Sequence, residues 1–182
     1  MNMALTFTKK QTGVLRGMGL GIFFSLLLAL YGILFNPFSF PELLPLEDKF
    51  IILGYCLLIP SFFLMFSIAR MARYRFFSPV DIDSSVTNSP SQALLCLQAI
   101  LQNTLEQAAL ATIIYLIWVL LTPSSWLSVL PLSASCFFIG RILFIKGFRM
   151  GASSRAVGFA LTFYPLVIMF IFILFSSLVS VA

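Results

Sequence analysis

The 182-residue sequence has no histidine and only six acidic residues. Without imidazole, a zinc or haem site and a His-based general base lack their commonest ligand and proton acceptor, so no metal is expected. No glycine-rich phosphate loop appears either. The segment Gly151-Ala-Ser-Ser154 reads as a turn into a helix, with Ser153 or Ser154 as its cap. The three cysteines, Cys56, Cys96 and Cys136, are odd in number and sit in separate apolar stretches. That argues against a disulfide framework and reads them as small buried side chains. Charge is scarce as well. At 9% charged residues the chain falls far below the roughly one quarter of a soluble domain.

What fills the sequence is hydrocarbon: 60% hydrophobic residues and a mean hydropathy of +1.06. Apolar runs of about twenty residues, enough to cross roughly 30 Å of lipid, recur five times. They are Val14–Phe35, Phe50–Ile68, Ser91–Leu121, Leu127–Ile145 and Ala156–Val181. The fold class expected is all-α, a polytopic membrane helical bundle with five transmembrane helices. Gly13, Gly17 and Gly21 in the first run form a stripe at four-residue spacing, which reads as an assembly surface for another helix. Pro60 and Pro165 are expected to kink the second and fifth helices.

Basic residues give the topology. Lys9, Lys10 and Arg16 open the first run, Arg70, Arg73 and Arg75 follow the second, and Lys146, Arg149 and Arg155 lie between the fourth and fifth. Five spans put every basic cluster on one face if the N-terminus is cytoplasmic and the C-terminus outside. Trp118 and Trp126 flank the uncharged outer turn. A cleaved signal peptide is the competing reading of the first run, but no small-residue cleavage site follows it. The net charge of +5 then serves topology and anionic lipid heads, with no nucleic-acid partner. With no targeting signal read, a bacterial inner membrane is the expected location.

One helix carries polar groups that lipid should reject. In ILQNTLEQAALATIIYLIWVLL, Gln102, Asn103, Glu106 and Gln107 precede an apolar run. Counting back from Leu121 puts Glu106 about 22 Å from the outer surface, and counting in from Leu127 puts Arg141 at about 21 Å. Gln98, Gln102 and Glu106 share one helical stripe, expected to point into the bundle. A charge in the membrane costs about 2.5–3.5 kcal/mol and marks a paired or functional group. Glu106 and Arg141 are therefore expected to face one pocket, paired directly or through a ligand, with a purely structural salt bridge as the alternative.

Asn103-Thr-Leu-Glu106 resembles the N-x-x-E signature of the MAPEG family, the membrane-associated proteins in eicosanoid and glutathione metabolism. The run Gly140-Arg-Ile-Leu-Phe-Ile-Lys-Gly-Phe148 is similar to that family's R-x-x-Y-x-x-G-Y pattern. Arg155 stands at the spacing of the arginine the family uses beside the glutathione sulfur, and Ala69-Arg-Met-Ala-Arg73 leads into a polar loop with Ser78-Pro79. The resemblance implies a MAPEG-like four-helix transmembrane domain over residues 50–182, with residues 1–36 an extra N-terminal transmembrane helix.

It further implies a homotrimer that binds glutathione between subunits, next to a lipid-facing cleft for a lipophilic small molecule. Arg155 would be catalytic, stabilising the thiolate. Asn103, Glu106, Arg141, Phe144 and Phe148 would line the substrate site, and Arg70 or Arg73 would meet carboxylates. The activity implied is a glutathione-dependent transferase or peroxidase acting on lipophilic electrophiles. The sequence departs from the pattern at Ala99, where the family often has arginine, and at Gln107, Phe144 and Phe148, where it has tyrosine. These departures leave a non-catalytic lipid-binding relative open, and a small transporter using Glu106 is the third reading.

Overall fold

The structure, a computed structural model, describes residues 8–83 and 89–181. Five long helices account for nearly all of them: α1 (Lys9–Phe35), α2 (Leu46–Phe77), α3 (Gln92–Leu121), α4 (Val129–Gly147) and α5 (Ala152–Val181). No strand occurs among the described residues. Each helix, α4 taken with its flanking 3-10 turns, is long and apolar enough to cross a membrane, and the chain is a multi-pass membrane protein. The helices overrun the apolar stretches at their basic ends, α2 as far as Phe77 and α5 back to Ala152. Backbone hydrogen bonding continues beyond the hydrocarbon, whereas hydropathy registers only the part immersed in it. Pro60 and Pro165 lie buried inside continuous α2 and α5.

Helices α2, α3, α5 and α4 pack in that order around a closed ring, and α1 lies outside it against α5 and α4. Buried Trp118, Tyr115, Phe137, Leu130, Leu166 and Met169 fill the ring's interior. Two polar side chains there are paired, Tyr115 Oη donating to Ser133 Oγ at 3.1 Å and Trp118 Nε1 donating to the Trp126 carbonyl at 3.2 Å, whereas the buried Gln107 Oε1 has no partner among the described residues. Trp118 is thus a core residue, fully enclosed.

The small residues of α1 settle its docking. The Gly13–Gly17–Gly21 stripe continues through buried Ser25, Ala29 and Gly32. A Cβ on Gly13 would fall 2.5 Å from Ser153 Oγ, and one on Gly17 would fall 2.9 Å from the Ala156 Cβ. One on Gly21 would strike Ala160. The stripe read as a packing surface for another helix finds that helix within the chain, α5. At the far end, Asn36 ends α1 at φ +41° and clasps the next loop: its Nδ2 donates to the Phe40 carbonyl and its Oδ1 accepts from Phe40 N and Ser128 Oγ. Ser124 Oγ accepts from Leu44 N. The loop thereby holds α1 and α2 to the turn before α4.

Candidate functional site

A cleft of about 470 Å³ opens at the basic end of the bundle, between α1, α3, α4 and α5. Ala99 and Asn103 of α3, Phe144 of α4, Phe148 just beyond it, and Ala152, Arg155, Ala156 and Phe159 of α5 line it, with Val14 and Met18 of α1. Four of the residues expected from sequence, Asn103, Phe144, Phe148 and Arg155, meet here. Arg155 is half-buried in the first turn of α5, its guanidinium 4.5 Å over the Phe148 ring. Phe148 packs edge-on against Phe144 at 5.4 Å, and Phe144 in turn lies 4.4 Å beneath the Arg141 guanidinium. Two cations are thus separated by an edge-to-face pair of aromatic rings, each cation lying over a π face.

Arg141 lies behind the cleft wall, fully buried. Its Nη1 donates to Asn103 Oδ1 at 2.8 Å and its Nη2 donates to Thr104 Oγ1; Nε has no hydrogen-bond partner among the described residues. Thr104 Oγ1 donates in turn to the Ile100 carbonyl at 2.7 Å and lies 3.4 Å from Ser67 Oγ, which ties α2, α3 and α4 together. This contact fixes the Asn103 amide. A guanidinium only donates, so the oxygen must face Arg141, and the Nδ2 hydrogens are left for the cleft. The site therefore presents one guanidinium and one oriented amide donor amid apolar walls, a combination suited to an anionic or carbonyl-bearing ligand with a hydrophobic part.

Glu106 does not pair with Arg141. It is exposed on the outer side of α3, where its Oε1 accepts from Gln102 Nε2 at 2.9 Å. The inward face of α3 belongs to Leu94, Leu97, Ile100, Thr104, Gln107, Ala108 and Ala111, so Gln98, Gln102 and Glu106 fall on the opposite side. Arg141 meets α3 within a turn of Glu106, but its partners there are Asn103 and Thr104. Ser153, offered by the sequence as a cap, lies inside the first turn of α5 and donates to the Lys10 carbonyl at 3.2 Å.

Arg70 and Arg73 stand apart from Arg155. They line a second pocket of about 610 Å³ at the same end, with Tyr74, Phe77, Ser78, Pro79, Leu97 and Arg149. Its loop is held by Asp81, whose carboxylate accepts from Ser91 N at 2.9 Å, Ser91 Oγ at 2.7 Å and Ser78 Oγ at 2.9 Å. Ser91 also caps α3 by accepting from Leu94 N. The Ser91 backbone N–H first, then the Ser91 hydroxyl, hold the Asp81 carboxyl below its ordinary value of 3.8. A depressed carboxyl contributes stability that is complete above the ordinary value and is lost as pH falls through the lower folded one. Asp81→Asn is therefore expected to lower the melting temperature at neutral pH, with the gap to wild type closing in acid. A pH series of melts in detergent tests this, and a gap independent of pH would refute it.

Thr104, Val14, Met18 and Phe159 join the site without having been singled out from sequence. Val14 and Met18 were legible in principle, since each follows a glycine of the stripe. Thr104 was hidden by the attention its charged neighbours draw.

Taken with the five crossing helices, this cleft defines a polytopic helical membrane protein whose apolar crevice carries a single guanidinium and an oriented amide. The MAPEG family model matches residues 51–175, and the chain belongs to that family of membrane-associated proteins in eicosanoid and glutathione metabolism. No curated protein and no solved structure matches the chain. The matched residues take in α3, α4 and the site-bearing part of α5, and α1 precedes them.

Proposed function

We propose that the protein is a glutathione-dependent transferase or peroxidase that acts on lipophilic electrophiles, with Arg155 beside the thiolate. The observation that carries this reading is the convergence of Arg155, Asn103, Phe144 and Phe148 on one apolar cleft. The residues fit a thiol tripeptide: the volume is within the usual range for small-molecule sites, and a guanidinium and an amide donor face inward. Glu106, one turn beyond Asn103 but on the outward side of α3 and outside the cleft lining, would offer its carboxylate to an ammonium group only where a neighbouring subunit closes the site.

Glutathione supplies the nucleophilic sulfur, which bonds to an electron-poor carbon while the thiol proton ends on the product. With a hydroperoxide, a second glutathione completes the balance to disulfide, alcohol and water. A free thiol titrates at about 8.5 and is mostly protonated at neutral pH. Arg155 favours the thiolate by its fixed charge, which adds to the positive end of the α5 dipole. Asn103, held by Arg141, donates to a carbonyl or carboxylate of the peptide. Phe144, Phe148 and Phe159 keep water out and offer the electrophile an apolar surface.

The outward stripe of Gln98, Gln102 and Glu106 supports assembly of copies, since polar groups facing lipid are costly whereas a neighbouring subunit can satisfy them. That agrees with the homotrimer usual in the family, in which Arg70 and Arg73 reach a neighbour's ligand. The grouping of basic residues at one end supports a cytoplasmic N-terminus. Phe144 and Phe148, standing where the family pattern has tyrosines, favour one second reading: a non-catalytic relative that holds a lipid in the same cleft.

Calorimetry on the detergent-purified protein decides between them. Saturable glutathione binding is expected, weakened roughly three- to ten-fold in Asn103→Ala by loss of one hydrogen bond. No heat at millimolar glutathione would move the assignment to the lipid-binding relative.

A further inference from the structure

Helix α1 lies outside the residues that match the family, yet it builds one wall of the cleft. Its glycine stripe sets its rotation. With Gly13 and Gly17 turned onto α5, the residue after each is rotated by about 100°, which brings Val14 and Met18 to the cleft side. The contacts that hold α1 bracket Arg155 along α5: Gly13 meets Ser153, Gly17 meets Ala156 and Val157, and Ser153 Oγ donates to the Lys10 carbonyl. The wall and the guanidinium are therefore registered to one another by direct backbone approach. Beside Phe144, Phe148 and Phe159, the apolar bulk of the lining comes from Val14 and Met18 of α1, since Ala99, Ala152 and Ala156 add little. Met18 is 38% exposed and its thioether chain is the most adaptable in the lining.

We propose that Val14 and Met18 are specificity-determining residues, which set the length and bulk of the apolar co-substrate accepted beside Arg155. The proposal rests on the reading of this cleft as the site of an apolar electrophile. Truncation at Met18 lengthens the accepted chain, and enlargement at Val14 shortens it. The thiol end keeps its groups, since Asn103 and Arg155 are left in place by both substitutions.

The test uses the full chain in nanodiscs and follows conjugation of glutathione to hexenal, nonenal and dodecenal. In parallel it follows displacement of dansyl-undecanoic acid by hexanol and dodecanol, which needs no glutathione. Met18→Ala is expected to shift the dodecenal-to-hexenal ratio of kcat/KM upward by at least about five-fold, and Val14→Phe to shift it downward by as much. Val14→Leu is the milder variant should Val14→Phe fail to fold, as read by its melt. Leu20→Ala, on a 50%-exposed α1 position away from the cleft, is expected to leave the ratio unchanged. An unaltered chain-length profile in folded Met18→Ala and Val14→Leu overturns the proposal. If no protein conjugates any alkenal, the glutathione reading has failed, and the alcohol displacement decides the wall by itself: a matching shift upholds it and an unchanged order overturns it.

Discussion

Arg155→Ala is expected to lower glutathione-dependent turnover about 10²–10³-fold, the size seen when a fixed donor to a developing anion is removed. Its guanidinium is half-buried and rests on Phe148, in the first turn of α5. A charge in that setting is less screened than one in water, and the aromatic face below it removes competing hydration. The ultraviolet thiolate band of bound glutathione should disappear together with the activity, because the same interaction serves both. Arg155→Lys keeps the charge but loses the planar fork, so it should retain part of the band and less of the rate. Full activity in Arg155→Ala would reduce the residue to an anchor at the membrane surface.

The second large effect is structural. A Cβ added at Gly158 would run into the backbone nitrogen of Phe144 and would lie 2.7 Å from the Gly140 carbonyl oxygen. Gly140 is as confined from its own side, 2.9 Å from the Gly158 oxygen by the same measure. These are backbone atoms that no rotamer change can move aside, so Gly158→Ala must part α4 from α5. Overpacking of this kind costs about 1–3 kcal/mol. Because α4 carries Arg141 and Phe144 and α5 carries Arg155, the variant should melt earlier and bind glutathione poorly. Gly54→Ala is the matching control: its Cβ would have nothing within 4 Å, and the substitution should be neutral or slightly stabilising. Equal melts for the two variants would refute the account.

The helices were legible because lipid leaves the backbone no other way to satisfy itself, and five apolar runs announce five crossings. Their ends were not, since the basic turns of α2 and α5 are helical without being apolar. The face of α3 was the harder question. Periodicity groups Gln98, Gln102 and Glu106 correctly, but which side turns inward is decided by Leu94, Leu97, Ile100 and Thr104, and helical spacing fits both choices. Arg141 consequently found neutral partners in place of Glu106. The glycine stripe was visible without its partner, because small residues accept any helix that is equally small. Only the fold reveals that Ser153, Ala156 and Ala160 of the same chain answer it.

The clasp at Asn36 has a consequence for mass action. Each α1 contact is small, but the loop pinned at Ser124 and Ser128 keeps α1 permanently beside α5, at an effective concentration in the millimolar range or above. No free copy of α1 at ordinary levels could compete for the groove it fills. Severing the chain between Phe40 and Leu43 would turn that fixed wall into a ligand whose occupancy follows dilution, and the cleft's width would become a variable of concentration.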